Sequence, residues 1–544
     1  MKRVFLAGVT LLLLGAAPVP KPKVDLLIRG GTIYTGSDDP FVGDVAVRGD
    51  HIVEIIRYTK GFAAPFLGDV ALEDESIIWT RPPVDILAKR VIDARGMIVA
   101  PGFIDPHTHM SDDLLSEDPA KRLIPMFLLQ GVTTAFIGND GGGAIDVSAV
   151  LDSAKTKPVG INYATFTGFG TIREAVIGQA KRAPTPPELV RMKAMVATAM
   201  CEGAIGLSTG LFYAPQSFSK TDEVVALAAE AGKRGGYYDS HIRDESSYTV
   251  GLLAAIDEEI AIAREAHVPA HVSHIKALGV DVQGKAGAVI ARIEAARAGG
   301  VNITASQYPW SASGTSMVAS LVPLWAQDGG RKALLARFDD PALATRLRTD
   351  MAENMRKRGG AAKLLIVEGA HKDQTLADVA AATHTDPIAA AIAVIRVGDP
   401  GVVSFNQSEA DIAAFMRAPW VMTDSDASPG HPRVYGSFAR KYAKSVVADH
   451  VLTLRQMIER SSSLTADWFA LNGRGHLRAG AFADVVVFDP RGYAARATYQ
   501  KPTEYAAGVR TVLVNGMLAV DGGKLTRRAA GRALPHTPTA GTCP

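Results

Sequence analysis

The stretch PGFIDPHTH, residues 101–109, is the strongest local signal in this chain of 544 residues. An apolar run leads into His107 and His109, which stand two residues apart. On a strand, that spacing points both imidazoles to one face, and neutral imidazole is a good ligand for first-row metals. The stretch therefore predicts a strand that carries half of a metal site at its carboxyl end. The alternative is a pair of surface-loop histidines, since an HxH pair alone is common.

From residue 101 to about 471, apolar strand-like runs alternate with alanine-rich helical runs. The predicted strands are 98–109, 133–139, 162–166, 204–208, 236–241, 270–274, 301–308 and 420–426. Eight strands alternating with helices predict an α/β protein with a (β/α)8 barrel of the TIM type. The predicted barrel domain covers residues 100–475, with an insertion around 311–400, because the gap before the last strand is much longer than one helix.

Both ends of the chain carry short β-like runs instead. Examples are DVAVRGDHIVEI before the barrel region and VRTVLVNGMLAVDGG after it. This pattern predicts one small β-sandwich built from residues 24–99 and 476–535. Residues 59–88 carry no pattern that assigns them.

Two further histidines stand where strands of the predicted barrel end. His241 follows GGYYDS, and His274 follows PAHVS. Barrel enzymes act at the carboxyl ends of their strands, so four histidines at three strand ends form a convergent ligand set. His271 lies on the opposite strand face from His274, and His267 precedes the strand, so both are interpreted as structural. Any one histidine of the four could alone be a core or surface residue.

Composition excludes several classes of protein. The chain is 47% hydrophobic and 21% charged, which is a globular balance and excludes a disordered scaffold. The net charge is +2 and no basic stripe stands out, so nucleic acid is not an expected partner. Two cysteines, Cys201 and Cys543, cannot build a disulfide framework or a cysteine metal cluster, and whether they pair stays open. No GxGxxG fingerprint opens a βα unit, so a nucleotide cofactor is not expected.

The N-terminus reads as a signal peptide over residues 1–20. Lys2 and Arg3 precede an apolar run, VFLAGVTLLLLGAA, which ends in small residues and is followed by prolines. The run is short for a membrane span, so the protein is expected to be exported, to the periplasm or beyond the cell, without a stable membrane anchor. Loss of the two basic residues would bring the net charge to zero. The alternatives are a buried N-terminal helix and an uncleaved anchor.

Several motifs together resemble one family. GFIDPHTH before the barrel and ADVVVFDP after it resemble the amidohydrolase superfamily of metal-dependent hydrolases. EGAIGLSTGLFYAP, HIRDE, SHIK, YPWSASGTS and SDASPGHPRVYGSF are similar to its N-acyl-D-amino-acid deacylase branch, also called D-aminoacylases. The resemblance implies that His107, His109, His241 and His274 bind zinc, as one or two ions per subunit, and that Asp426 is the catalytic acid/base.

The chain departs from that branch at one ligand. The branch has a cysteine in a GNCG loop, whereas this chain reads GNDGGG with Asp140 in its place. A carboxylate can bridge two divalent ions through its two oxygens, so Asp140 is predicted to be a metal ligand. The alternative is a turn residue among glycines.

The run WVMTDSDAS offers two carboxylates, Asp424 and Asp426. Near a metal ion, a carboxylate can take a proton from water and pass it to a leaving nitrogen. The branch places its aspartate in SD before a small residue, which selects Asp426. Asp424 is expected to point inward below it or to cap a turn.

An N-acyl amino acid carries a free carboxylate, which arginine or convergent hydroxyl donors hold best. Lys276, Tyr308, Ser313 and Arg433 stand where the branch places such contacts, with His431 as a possible support. The competing interpretation of Arg433 and Lys276 is solvated loop charge.

The sequence therefore predicts a zinc-dependent amidohydrolase that cleaves N-acyl-D-amino acids to a carboxylate and a free D-amino acid. One alternative is a hydantoinase-like or dipeptidase-like hydrolase of the same superfamily. Another is an inactive barrel that acts as a binding protein. The substrate side chain and the oligomeric state stay open.

Overall fold

The computed structural model describes residues 23–62, 70–74, 77–81 and 86–543. The predicted signal peptide, and part of the unassigned stretch 59–88, lie outside the described residues. The strands are β1 (Lys23–Ile33), β2 (Phe41–Arg48), β3 (His51–Arg57), β4 (Thr59–Phe62), β5 (Val70–Asp74), β6 (Ile77–Thr80), β7 (Leu87–Asp93), β8 (Ile98–Pro101), β9 (Phe103–Asp105), β10 (Val132–Ile137), β11 (Asn162–Thr165), β12 (Thr167–Gly168), β13 (Gly206–Gly210), β14 (Tyr237–His241), β15 (Ala270–Val272), β16 (Ile303–Gln307), β17 (Ala312–Ser316), β18 (Leu364–Ile366), β19 (Gly401–Phe405), β20 (Val421–Thr423), β21 (Val485–Phe488), β22 (Val509–Val514), β23 (Met517–Asp521) and β24 (Lys524–Leu525).

Helices follow most of the central strands. They are α1 (Ser111–Leu114), α2 (Pro119–Arg122), α3 (Pro125–Leu128), α4 (Val147–Thr156), α5 (Phe169–Ile177), α6 (Pro186–Cys201), α7 (Thr221–Lys233), α8 (Leu252–Glu265), α9 (Ala286–Ala298), α10 (Met317–Leu321), α11 (Leu324–Gln327), α12 (Gly330–Phe338), α13 (Pro341–Lys357), α14 (Leu376–Ala382), α15 (Pro387–Val397), α16 (Glu409–Arg417), α17 (Arg433–Arg440), α18 (Leu454–Ser461) and α19 (Ser463–Trp468). Short 3₁₀ helices span Gln216–Phe218, Ala361–Lys363 and Gly369–His371, and a π-helix spans Lys441–Ala448. Among the described residues, no helix is long and apolar enough to cross a membrane.

The two ends of the chain share one nine-stranded sheet. Its strands run in the order β24-β23-β22-β21-β8-β1-β2-β3, and β7 also pairs with β1. The join between the ends is the antiparallel pairing of β8 with β21, which sets Ile98 opposite Phe488. Beneath it lies an apolar cluster that includes fully buried Val45, Val485 and Leu513. The alternating apolar runs at both ends thus bury one common face.

The central strands pair in parallel. One sheet has the order β11-β10-β9 and another the order β12-β13-β14-β15-β16-β20. Every residue of β10, VTTAFI, is buried, as expected for a parallel strand covered on both faces. Parallel strands alternating with helices confirm the predicted α/β class.

The predicted strand over residues 98–109 is wrong in one respect, because it is divided at Gly102. The first part, β8, belongs to the terminal sheet, and β9 pairs with β10 in the central one. A Cβ on Gly102 would lie 2.2 Å from Oγ1 of Thr133, so a side chain here would collide with β10. A continuous apolar run carries no signal that marks a change of sheet.

The segment between β16 and β20 has a small sheet and a core of its own. Strands β17 and β18 both pair antiparallel with β19, which begins at Gly401. Helices α10 to α15 pack around an apolar cluster that includes Leu321, Met351 and Leu376. The predicted insertion, 311–400, ends one residue before β19.

Cys201 and Cys543 form a disulfide. The bond ties the C-terminal tail to the end of α6. Before it, the tail forms backbone hydrogen bonds with Val159, Tyr163, Gly203 and Arg234. The pairing that the sequence left open therefore fastens the end of the chain to the central strands and their helices.

Candidate metal centre

Five predicted ligands meet at the carboxyl ends of the central strands. His107 and His109 follow β9, and Asp140 follows β10. His241 is the last residue of β14, and His274 comes two residues after β15. Because parallel strands present their carboxyl ends at one edge, residues far apart in sequence converge there.

The Asp140 carboxylate lies in the middle of the four imidazoles. Its Oδ1 is 3.5 Å from Nε2 of His107 and 3.6 Å from Nε2 of His274. Its Oδ2 is 3.6 Å from Nε2 of His109 and from Nδ1 of His241. Each oxygen thus faces two rings, which is the arrangement of a bridging carboxylate.

The distances from Asp140 to the four rings fit a metal ion better than direct hydrogen bonding, although Nδ1 of His241 and Nε2 of His274 are hydrogen-bonded to each other at 3.0 Å. Distances of 3.5–3.6 Å are long for hydrogen bonds, whereas two ligands about 2.0–2.2 Å from a tetrahedral zinc stand about 3.3–3.6 Å apart. Both ring nitrogens of His107, and Oδ1 of Asp140, are buried with no hydrogen-bond partner among the described residues. Nitrogen and carboxylate donors are those that zinc takes in catalytic sites.

Electrostatics differ among the histidines: burial leaves the His107 ring neutral, whereas at His109 and His274 the neighbouring carboxylates outweigh burial and raise the pKa. Burial lowers the pKa of His107 to about 3, so its ring is neutral and a lone pair is available. Burial works against ionisation of Asp140, but His107 and the neighbouring rings hold the pKa of this carboxyl well below its usual range. A neutral imidazole beside an ionised carboxylate is ready to bind a cation.

Asp140 reaches the centre from an unusual backbone conformation. Its φ is +56°, in the left-handed region that aspartate tolerates better than most residues, and Gly141 follows at +73°. A Cβ on Gly141 would lie 2.1 Å from Oε1 of Gln216, so glycine is required there. The residue is therefore more than a turn former among glycines, because its carboxylate lies at the centre of the histidines.

Asp426 lies beside this cluster and is paired with arginine. Its Oδ1 is 3.3 Å from Nε2 of His109 and 3.8 Å from that of His107, while Oδ2 is 2.7 Å from Nη1 of Arg433. Burial opposes its ionisation, but Arg433 and the histidines hold the pKa of Asp426 well below its usual range. Asp424 is fully buried. This burial and, to a smaller extent, the charge of the neighbouring Asp426 raise the pKa of Asp424 to about 6. Of the two, Asp426 is the one that faces the histidines.

Lys276 is buried and does not lie in a solvated loop. Its Nζ donates to Oε1 of Glu245 at 2.5 Å and lies 2.7 Å from Nδ1 of His274, which is also 3.2 Å from Oε1 of Glu245. Glu245 also lies 3.6 Å from Nε2 of His241. Sequence reasoning missed Glu245, although its place in HIRDE, four residues after His241, was a possible signal.

The remaining predicted contacts lie around one cavity of about 370 Å³ that opens on the metal cluster. Ser313, His431 and Arg433 line it together with Lys276. Tyr308 is fully buried and lies behind them, with the Arg433 guanidinium 4.9 Å from its ring centre. His431 accepts the Arg433 backbone N–H at Nδ1, so it supports this loop. Tyr308 is thus placed to hold Arg433, one step behind the cavity wall.

His271 and His267 lie away from the cluster, in agreement with their structural interpretation. The His271 ring is hydrogen-bonded at 2.7 Å to Asp239, a buried carboxylate that also accepts from Asn139. Sequence reasoning missed Arg358 as well, because it comes from the insertion and no motif marks it. The structure places Arg358 in the wall of the cavity.

Comparison with known proteins agrees with the α/β fold and identifies the family. The profile of the group described as "Amidohydrolase family" matches residues 148–520, and the chain belongs to that family. A D-aminoacylase of Alcaligenes xylosoxydans xylosoxydans is 32% identical, over 94% of this chain and 98% of that protein. An N-acyl-D-glutamate deacylase of the same organism is 31% identical, over 91% and 93% respectively. The crystal structure of N-acyl-D-glutamate deacylase from Bordetella bronchiseptica, with zinc and a phosphonate mimic of the tetrahedral intermediate, superposes with a TM-score of 0.75 at 29% identity, over 94% of this chain and all of that one.

Proposed function

We propose that the protein is a zinc-dependent amidohydrolase that cleaves the acyl amide of N-acyl-D-amino acids. One observation carries the proposal: the Asp140 carboxylate lies among four imidazoles, beside the Asp426–Arg433 pair, at the wall of a cavity of substrate size. Two similar proteins are a D-aminoacylase and an N-acyl-D-glutamate deacylase, each aligned over nearly its whole length. Their names supply the substrate class.

The proposal includes a closed (β/α)8 barrel as the scaffold. Strands β11 and β12 are separated only by Phe166, so the two parallel sheets are continuous at that edge. At the other edge, a parallel bridge joins Thr108, after β9, to Ala427, after β20. These two links support closure of eight strand positions into a ring. The terminal sheet would then form the small sandwich built from both chain ends.

His107, His109, Asp140, His241 and His274 would hold one or two zinc ions. Bound zinc supplies a Lewis acid that polarises the acyl carbonyl and acidifies a water molecule. The ionised Asp426 can accept a proton from that water at Oδ1, the oxygen that faces His109. Arg433 holds the other oxygen, Oδ2, and so fixes the direction of transfer. The same carboxyl then delivers the proton to the departing amine.

The substrate α-carboxylate is assigned to Arg433, Lys276 and Ser313, with Tyr308 as support behind Arg433. A Cβ on Gly314, the residue after Ser313, would lie 3.3 Å from Nη2 of Arg433. A bound carboxylate would therefore reach the guanidinium and this strand together. Lys276 Nζ also lies 2.7 Å from Nδ1 of His274, so the residue that binds substrate contacts a proposed metal ligand.

The proposal places the mature protein outside the cytoplasm. The basic residues and apolar run at the N-terminus support export through a signal peptide. The Cys201–Cys543 disulfide supports it independently, because disulfides persist in oxidising compartments.

A substrate panel tests the activity. The zinc-loaded protein is assayed with N-acetyl-D- and N-acetyl-L-amino acids, dihydropyrimidines and dipeptides. Turnover of N-acetyl-D-amino acids at least tenfold above their L-enantiomers is expected. Preferred turnover of dihydropyrimidines or dipeptides would establish the hydantoinase-like or dipeptidase-like alternative. Absence of any turnover at any zinc loading would favour the inactive barrel.

A further inference from the structure

Three cationic side chains of Lys or Arg line the cavity among the described residues, and two of them are already neutralised. Arg433 is paired with Asp426 at 2.7 Å, and Lys276 is paired with Glu245 at 2.5 Å. The third is Arg358, which directly follows α13 in the insertion.

The Arg358 guanidinium is buried without a counter-ion. The residue is 2% exposed, and among the described residues its guanidinium forms no ion pair within 4.0 Å. Its Nε donates to the backbone oxygen of Ser320 at 3.2 Å, and Nη1 donates to Oγ of Ser404 at 3.1 Å. Both acceptors are neutral, as is the phenol of Tyr248, whose ring centre lies 5.6 Å from the guanidinium carbon and which lines the cavity together with Arg358.

A buried charge is costly unless an opposite charge and hydrogen bonds compensate it. Neutral acceptors supply only part of that compensation. Guanidinium groups bind carboxylates in a planar, two-point geometry, so a carboxylate that enters the cavity would complete the environment of Arg358.

Arg358 is not one of the proposed α-carboxylate contacts, but it lies close enough to them to bind another part of the same substrate. Ser404 on β19 lies directly opposite Ser313 on β17. Ser404 holds Arg358, whereas Ser313 belongs to the proposed α-carboxylate site. Directly opposite residues of an antiparallel pair are about 4.5–5.5 Å apart at Cα, which is close to the reach of an amino-acid side chain.

Five acidic residues line the cavity; besides Asp140, Glu245 and Asp426 they are Glu368 and Asp399, each of which accepts a backbone N–H. Oδ1 of Asp399 accepts the Val318 backbone N–H at 2.8 Å, next to the start of α10. Glu368 is exposed, and its Oε2 accepts the backbone N–H of Gly401. Neither is an ion-pair partner of Arg358.

We propose that Arg358 binds a carboxylate in the substrate side chain, so that the preferred substrates are N-acyl derivatives of acidic D-amino acids. This inference rests on the proposed deacylase function and narrows its substrate class. Sequence similarity does not distinguish acidic from neutral substrates, because the D-aminoacylase and the N-acyl-D-glutamate deacylase are almost equally similar to this chain, at 32% and 31% identity.

The test compares acidic substrates with neutral ones of nearly the same shape. The value of kcat/KM is measured for N-acetyl-D-glutamate against N-acetyl-D-glutamine, and for N-acetyl-D-aspartate against N-acetyl-D-asparagine, with the zinc-loaded full chain. Loss of one partner of a buried charge pair costs about 30-fold or more. We expect the wild type to prefer at least one acid over its amide by that factor, and Arg358→Met to remove the preference. Arg358→Lys should retain part of it.

Arg356→Met is the matched control. Arg356 lies two residues earlier, is exposed, and pairs with Asp281 and Glu353, outside the cavity. Its replacement should leave the acid-to-amide ratio unchanged. A wild-type ratio near one for both pairs, or an equal loss in Arg358→Met and Arg356→Met, would overturn the inference. If Arg358→Met does not fold, the wild-type ratio and that of Arg358→Lys decide.

Binding to an Asp426→Asn variant distinguishes this inference from the proposed function. Calorimetry with N-acetyl-D-glutamate and N-acetyl-D-glutamine measures preference without turnover. Tighter binding of the acid that depends on Arg358, together with no hydrolysis by the wild type, would refute the deacylase activity and support the role of Arg358. Equal binding of acid and amide would overturn that role.

Discussion

At the residue scale, Asp140 is the side chain on which the metal centre depends. Each of its oxygens faces two imidazoles at 3.5–3.6 Å, so its removal would leave the four rings without a shared anion. Asp426 also faces the cluster, through an oxygen 3.3 Å from His109, but its other oxygen is paired with Arg433. Replacement of Asp140 should therefore reduce zinc binding, whereas replacement of Asp426 should reduce the rate of hydrolysis.

Asp140→Ala is expected to lower the zinc bound per chain by at least half, because the bridging donor is lost. Asp426→Asn keeps an oxygen at its position, so it should retain zinc while kcat falls by about 10²–10⁴, the usual contribution of a general acid/base. Zinc is measured by elemental analysis after dialysis. Equal zinc in Asp140→Ala and wild type would refute the ligand role.

Local spacing predicted the histidines but not their partners. His107 and His109 could be found because residues two apart share a strand face, and His241 and His274 because each ends an apolar run. Asp140 could be predicted as a ligand only from the resemblance to a family that has a cysteine at this position. Glu245 had only its spacing of four residues from His241 as a signal, and Arg358 had none, since its position at the cavity depends on contacts between segments that are distant in sequence.

At the element scale, the loop after β10 positions Asp140, and Gln216 holds this loop. Nε2 of Gln216 donates to the backbone oxygen of Asp140 at 2.9 Å, while Oε1 accepts the Gly210 backbone N–H at 2.7 Å. One side chain thus links the loop to the end of β13. The buried strands were predicted well, because their apolar runs are long. The division of the first strand at Gly102 was not predicted, because a continuous apolar run does not indicate where the chain passes from one sheet to another.

Gln216→Ala should weaken zinc binding about 10- to 100-fold, which is the usual effect of losing a group that orients a ligand. The readout is the zinc dissociation constant in a chelator competition. Gln179→Ala is the control, because the Gln179 side chain donates to exposed Glu174, away from the loop. If both variants bind zinc as wild type does, Gln216 has no part in positioning Asp140.

At the scale of the whole molecule, the C-terminal part of the chain is fastened at two places. Strands β8 and β21 pair in the terminal sheet, and the Cys201–Cys543 disulfide fastens the tail to α6. The sequence indicated the shared sheet, because both ends carry the same alternating pattern. It could not indicate the disulfide, since two cysteines separated by 342 positions carry no spacing signal.

Reduction of the disulfide should lower the Tm, because it frees the tail and enlarges the unfolded ensemble. Removal of such a link typically costs about 2–4 kcal/mol. Thermal unfolding is recorded with and without reductant, alongside thiol titration. The Cys201→Ser/Cys543→Ser double variant should start at the lower Tm and ignore the reductant. An unchanged wild-type Tm with two titratable thiols would contradict a stabilising role.

The most direct test begins with protein from which zinc has been removed by a chelator. Zinc is added back stepwise, and at each step both the zinc bound per chain and the rate of N-acetyl-D-amino acid hydrolysis are measured. The metal-free protein should show no turnover above background. Activity should return as zinc fills the first or second equivalent, with the D-enantiomer preferred throughout. Full activity in the metal-free protein would contradict the account, and so would zinc binding at full stoichiometry with no hydrolysis of any N-acyl-D-amino acid.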